Sequence, residues 1–259
     1  MHITYSEDTV SDTMLETKGA VHHTISGPHP AGNIGIQIHH IAPLNLKDIV
    51  WTLNAQDVVR IGTFLLTGEL DISNIITLAG PSVKKPAHYI SRIGNEMKSI
   101  VHENLQDGNF RLISGDVLTG ETSSLEDYSN FYDTTITAIP ENNDREFLGM
   151  LRPGSSSTRY SLTRAFFGSN RNGFNFSTSK NGSERYVVPI NAWEDVLPMD
   201  IMPNPLYRAI LVEDIEEMEQ LGIIECDEED FALCSFACPS KIDVGGTIRQ
   251  GLDLMEKES

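Results

Sequence analysis

The spacing of apolar residues changes near Ala192, and that change constrains the fold more than any motif. Before it, short runs alternate apolar and polar residues and are cut by glycine and proline. After it, apolar residues recur every three or four positions, as in Leu206, Ile210, Ile215, Met218 and Leu221 and again in Ile248, Leu252 and Met255. A period of two suits a strand with one buried face, and a period near 3.6 suits a helix. The chain therefore reads as α+β, with a sheet-rich body followed by a helical domain from Trp193 to Ser259.

In the body, His2–Tyr5 and Ala20–Ile25 read as strands. Gly27–Gly35, GPHPAGNIG, reads as a loop. It lacks the Lys-Ser/Thr of a P-loop and the spacing of G-x-G-x-x-G. Ile36–Ile41 and Ile49–Asn54 read as further strands. Gln56–Leu66 reads as a helix closed by Gly68 in its C-cap role. Strands leading into a helix give residues 1–69 the character of the later part of a Rossmann-like α/β domain. The chain opens almost at once with a strand, as expected if the upstream part of that domain lies elsewhere.

Asn74–Gly80, His88–Ile93, Phe110–Ser114 and Thr134–Ile139 read as strands around a helix at Glu96–Leu105, with Met97, Ile100, Val101 and Leu105 on one face. Strands around one helix predict a β-grasp domain over residues 70–153. A connector over 154–192 follows. In it Phe174–Ser179 and Glu184–Ile190 flank Asn181-Gly182, the signal for a hairpin with a type I′ turn. Arg159, Arg164, Arg171 and Arg185 are candidates for an acidic partner surface, though ordinary solvated charges fit them as well. In the helical part, Pro205 suits a first helical position, and Asp227 suits the cap of a helix carrying Phe231, Cys234 and Cys238.

All three cysteines, Cys226, Cys234 and Cys238, fall within Glu225–Lys241, ECDEEDFALCSFACPSK. Cys234 to Pro239 reads C-x3-C-P, the closing half of the ferredoxin-type run C-x2-C-x2-C-x3-C-P. The remaining cluster ligands would fall at Phe231 and Glu228. Phe231 has no donor atom, and a carboxylate is a poor substitute for a thiolate. The site reads as a relic whose thiols are buried small residues, and no metal site is assigned. The histidine pairs His22-His23 and His39-His40 lie on predicted strands, where neighbours face opposite ways and cannot easily share a metal. No G-x-S-x-G, H-E-x-x-H or placeable Cys–His pair is present, so no catalytic or cofactor-binding residue is assigned.

A net charge of −18 disfavours nucleic acid and anionic membrane surfaces as direct partners. No run of eighteen apolar residues exists to span a bilayer. Three cysteines and the lack of a basic-then-apolar leader predict a reducing, cytosolic setting. Ten acidic residues and no basic one lie between Glu213 and Asp230. They read as a solvated face or as a docking surface for a basic partner.

The string at Glu225–Lys241 resembles the C-terminal signature of the A-type subunit of the sodium-translocating NADH:quinone reductase family. That family is related to the flavoprotein subunit of complex I, whose helical domain carries a real cluster. Gly27-Pro28-His29-Pro30-Ala31-Gly32 is similar to a familiar string of the same family. Ala79–Pro86 (AGPSVKKP) and Arg111–Gly120 (RLISGDVLTG) resemble its soluble-ligand-binding β-grasp domain. Arg164–Gly168 (RAFFG) and Lys180–Arg185 (KNGSER) are similar to further strings of the A-type subunit.

The resemblance implies a peripheral subunit on the cytoplasmic side of the bacterial inner membrane, in a complex that passes electrons from NADH to quinone and pumps sodium. It implies a structural or assembly role with quinone interaction as a further expectation. NADH, flavins, iron–sulfur and quinone chemistry would then belong to other subunits, with no cofactor bound by this chain and no membrane span. The alternatives are an independent flavin- or quinone-dependent reductase and a pure scaffold domain.

Overall fold

The structure is a computed structural model and describes residues 1–8, 12–101, 103–142 and 173–258. The chain forms two compact units, one of Met1–Val50 with Glu184–Ser259 and one of Trp51–Ser183.

The first unit opens with strand β1 (His2–Ser6), the short helix α1 (Asp12–Leu15) and strand β2 (Val21–Ile25). β1 and β2 pair in parallel, from His2 opposite Val21 to Ser6 opposite Ile25. The loop after β2 runs to Asn33, and helix α2 (Ile34–Ile41) follows. The strand expected at Ile36–Ile41 is thus a helix. Its isoleucines fit both periods, alternating at 34, 36 and 38 and falling at i, i+4 and i+7 at 34, 38 and 41, and long-range contacts decide between them. The strand expected at Ile49–Asn54 is irregular, with Ile49 80% and Trp51 90% exposed.

The second unit begins with helix α3 (Ala55–Thr67). Asn54 caps it by accepting a hydrogen bond from the Asp57 N–H, and Gly68 ends it at φ 75°, its N–H on the Phe64 carbonyl at 2.8 Å. Left-handed backbone is why glycine stands there. Then come β3 (Ser73–Ala79), β4 (Ala87–Arg92), the one-turn helix α4 (Met97–Val101), β5 (Phe110–Ser114), β6 (Glu121–Ser123) and β7 (Thr135–Pro140).

The sheet order is β4-β3-β7-β5-β6, with β3 and β7 parallel and the other pairs antiparallel. Two parallel central strands flanked by hairpins form a β-grasp sheet. Along β3 the residues alternate, so Ile76 and Leu78 point inward. They join Met97, Ile100, Val101, Leu112, Ile136 and Ala138 in one buried cluster between the sheet and α4. The helix expected over Glu96–Leu105 is shorter, and β6 takes part of what reads as a polar loop. Glu146–Pro153, Arg159, the string Arg164–Gly168 and Arg171 lie outside the described residues.

Around Asn181 no strands form. Phe174 and Phe176 stack at 5.0 Å, and the Thr178 N–H donates to the Pro140 carbonyl at 3.1 Å. The expected type I′ turn is absent because it needs two positive φ angles; Asn181 has one, at 51°, and Gly182 does not.

The first unit resumes with α5 (Pro203–Leu211), α6 (Ile215–Gln220), a 3₁₀ turn at Glu228–Phe231, α7 (Ala232–Ala237) and α8 (Val244–Glu258). This is the helical region that the spacing predicts. Pro203, rather than Pro205, takes the first helical position, directly after the cap residue Met202. Leu206, Ile210, Met218, Ile223, Val244 and Ile248 are buried.

Candidate functional site

The cysteine-bearing segment sits at the centre of the helical region. After the 3₁₀ turn the chain enters α7, and Cys238 ends it with its N–H on the Cys234 carbonyl at 2.9 Å. Asp227 does not cap this helix. Its side chain makes no cap hydrogen bond and pairs instead with Arg249 of α8 at 3.3 Å, beside a 2.9 Å bond from Arg249 Nε to Glu228. The 3₁₀ turn intervenes and puts Asp227 out of reach of the α-helical N–H groups.

Cys234, Cys238 and Phe231 are fully buried or nearly so. The Cys234 thiol points at the Trp193 carbonyl, 3.7 Å away, and burial pushes it up to about 12. The Cys226 thiol donates to the Gly222 carbonyl at 3.4 Å, and burial, followed by the negative charge of Asp230, pushes it further up. Thiols held this way are neutral and are poor nucleophiles and poor ligands. Ser235, on the same helix, accepts hydrogen bonds from the N–H groups of Val244 at 2.9 Å and Gly245 at 3.3 Å, capping the start of α8 from another helix. Among the described residues no group of three or more His, Cys, Asp or Glu is placed to hold a metal ion.

Two features of this region left no mark in the sequence. The Asp230 side chain is buried, 1% exposed, against the first turn of α2, and the site where a Cβ of Gly35 would stand falls on its carboxylate. Neither carboxylate oxygen has a hydrogen-bond partner. Burial pushes the group up to about 6. The Asn33 amide and the backbone N–H groups of Asp227 and Ile36 pull it down; the same amide donates to the Glu229 carbonyl at 3.0 Å.

His39 of α2 is the second. Its Nδ1 lies 2.7 Å from Glu225 Oε2, and its Nε2 accepts the Asp200 N–H at 3.1 Å, so Nδ1 carries the proton and donates it to the carboxylate. Both ring nitrogens are occupied, which leaves no lone pair for a ligand. His40 donates from Nε2 to the Pro198 carbonyl at 2.8 Å. The two rings meet edge to face with centroids 5.2 Å apart, yet their nitrogens bond different partners. On β2, His23 stacks on His2 with ring nitrogens 2.9 Å apart, while His22 contacts the Thr17 carbonyl. The structure thus brings the cysteines, Phe231, Asp230 and α2 together and leaves His22 and His23 apart from them in their hydrogen bonding.

Residues 1–70 match the family model described as NqrA second alpha/beta domain, and residues 75–124 match that described as NQRA C-terminal domain. NqrA, the A-type subunit of the Na(+)-translocating NADH-quinone reductase, of Haemophilus influenzae is 42% identical over 238 residues, covering 91% of this chain and 53% of the relative. The corresponding subunit of Pasteurella multocida is 42% identical over 235 residues, covering 90% and 52%. That of Vibrio anguillarum is 40% identical over 239 residues, covering 91% and 53%. The chain spans about half the length of the curated relatives it matches. It resembles NqrA, as the strings at Gly27–Gly32 and Glu225–Lys241 imply.

Proposed function

We propose that this chain serves as part of a peripheral subunit of a sodium-translocating NADH:quinone reductase, on the cytoplasmic side of the membrane, with a structural and assembly role. The other subunits of that complex are its partners, and they carry the flavins and iron–sulfur chemistry. Its domains follow the order read along the chain: α/β over 1–69, β-grasp over 70–153, a connector over 154–192 and a helical domain over 193–259. The observation that carries the reading is the 42% identity to NqrA over 91% of the chain.

The chemistry of the cysteine segment supports the same role. Cys234 and Cys226 are held as neutral, buried thiols, and a cluster needs thiolates. Among the described residues no helix is long and apolar enough to cross a membrane, which is compatible with peripheral attachment. The chain's own contribution would then be shape and docking surface, with quinone contact as its one candidate small-molecule interaction.

The test takes the purified chain. Iron and flavin should both be far below stoichiometric, and NADH with a soluble quinone should give no turnover without the other subunits. Stoichiometric iron or unaided turnover would overturn the assignment. A calorimetric titration with quinone then separates scaffold from quinone contact by the presence or absence of heat.

A further inference from the structure

Helix α3 faces the wrong way for an amphipathic helix of a finished domain. None of its residues is buried. Its polar side lies against the β-grasp sheet. The Gln56 amide makes two hydrogen bonds to the backbone of Ile75, accepting its N–H at 2.8 Å and donating to its carbonyl at 3.2 Å. Arg60, paired with Asp57, donates to the Ser73 carbonyl at 3.2 Å.

The apolar residues point out. Val58, Val59, Ile61, Leu65 and Leu66 are 46–89% exposed, and Trp51 just before the helix is 90% exposed. Val58, Ile61 and Leu65 fall at i, i+3 and i+7, on one stripe. Gly62 sits in that stripe with open space around it. A contiguous apolar helix face rimmed by polar groups marks an interaction site.

We propose that this face of α3 docks the sheet of the α/β domain supplied by the half of an NqrA-length polypeptide that these residues do not contain. Three observations choose that occupant. The helix lies within residues 1–70, which match an α/β domain, and helices of such domains cover the faces of parallel sheets with their apolar stripe. Among the described residues the only parallel sheet of that stretch is the two-strand pair β1–β2, too small to be a stable layer alone. The relatives supply the missing mass, since the match covers 53% of their length. A second copy of this chain is the weaker occupant, because two bodies of net charge −18 repel.

The inference rests on the similarity to NqrA and not on the redox reading, so iron or turnover found in the chain would leave it standing. The experiment co-expresses the tagged chain with the part of the Haemophilus influenzae NqrA outside its match. The expected result is a one-to-one complex in which α3 amides exchange at least about tenfold more slowly than in the chain alone. The double variant Val58→Lys, Leu65→Lys should lose affinity about tenfold or more, because charges are set against a desolvated apolar contact. It should keep its own melting temperature, as both positions are exposed. Absence of a complex, a complex indifferent to the two lysines, or a concentration-dependent homodimer that protects α3 would each overturn the proposal.

Discussion

Replacing Gly35 with alanine tests the contact between α2 and the cysteine segment directly. A Cβ at this position would stand 2.7 Å from Asp230 Cγ and 2.9 Å from Oδ1, and closer still to Oδ2. The carboxylate has little room to retreat, because the residue is 1% exposed. Inserting a methyl group into a packed site costs about 1–3 kcal/mol, while alanine in place of glycine in a helix contributes up to about 1 kcal/mol in the opposite sense. The net expectation for Gly35→Ala is a loss of about 1–2 kcal/mol.

Partner substitutions separate shape from charge. In an Asp230→Ala background the obstruction is gone, and Gly35→Ala should turn neutral or stabilising by up to about 1 kcal/mol. In an Asp230→Asn background the shape persists, so the alanine should remain destabilising. Urea unfolding of the six proteins at one pH gives both cycles, with a coupling energy of about 1–3 kcal/mol expected only for the alanine pair. If Gly35→Ala carries the same sign and size in all three backgrounds, the tight approach of Gly35 to Asp230 does not set its cost.

Asp230 also predicts a pH dependence. Its folded value of about 6 stands above the ordinary 3.8, so the folded state holds this proton more tightly, and the contribution is complete below about pH 4 and lost as pH rises through 6. Asp230→Asn should flatten that slope and gain up to about 3 kcal/mol over wild type at pH 7, from two units at 1.36 kcal/mol each; equal slopes in the two proteins would refute it. Cys226, Cys234 and Cys238 should react with a maleimide slowly in the native protein and rapidly in urea, and prompt native labelling of Cys234 would show its helix face to be open. Ser235→Ala removes the acceptor of two N–H groups at the start of α8 and should cost about 0.5–2 kcal/mol in urea melts, as other cap losses do. An unchanged midpoint would mean that solvent or a neighbouring group replaces the hydroxyl. Arg249→Ala should cost under about 1 kcal/mol despite its two carboxylate partners, because the ion pairs are half exposed, and a larger loss would show that they act as a network.

What the sequence could convey followed the range of the interactions involved. The β-grasp strands were legible because one buried face imposes alternation residue by residue, as in β3, and the end of α3 because Gly68 answers a local backbone need. Ile34–Ile41 was not, since its isoleucines satisfy both periods. What fixes it as a helix includes the contact of His39 with Glu225, 186 positions away, and the packing of Gly35 on Asp230. The hairpin signal at Asn181-Gly182 failed for the opposite reason. The turn residues are local, but a ladder needs two strands with faces to bury, and Tyr186 and Val188 are exposed at 96% and 54%.

The cysteine segment lies between these cases. The arithmetic of C-x3-C-P shows that two ligands of a cluster run are missing, yet it cannot say what became of the other two. The answer depends on Trp193, which offers its carbonyl to Cys234 from 41 positions away, and on the apolar residues that bury both thiols. A thiol that donates to a backbone carbonyl in a dry site is stabilised in its protonated form. Restoring a metal there would require more than two new ligands at positions 228 and 231: it would also require breaking the packing of Phe231 and reversing the protonation of Cys234.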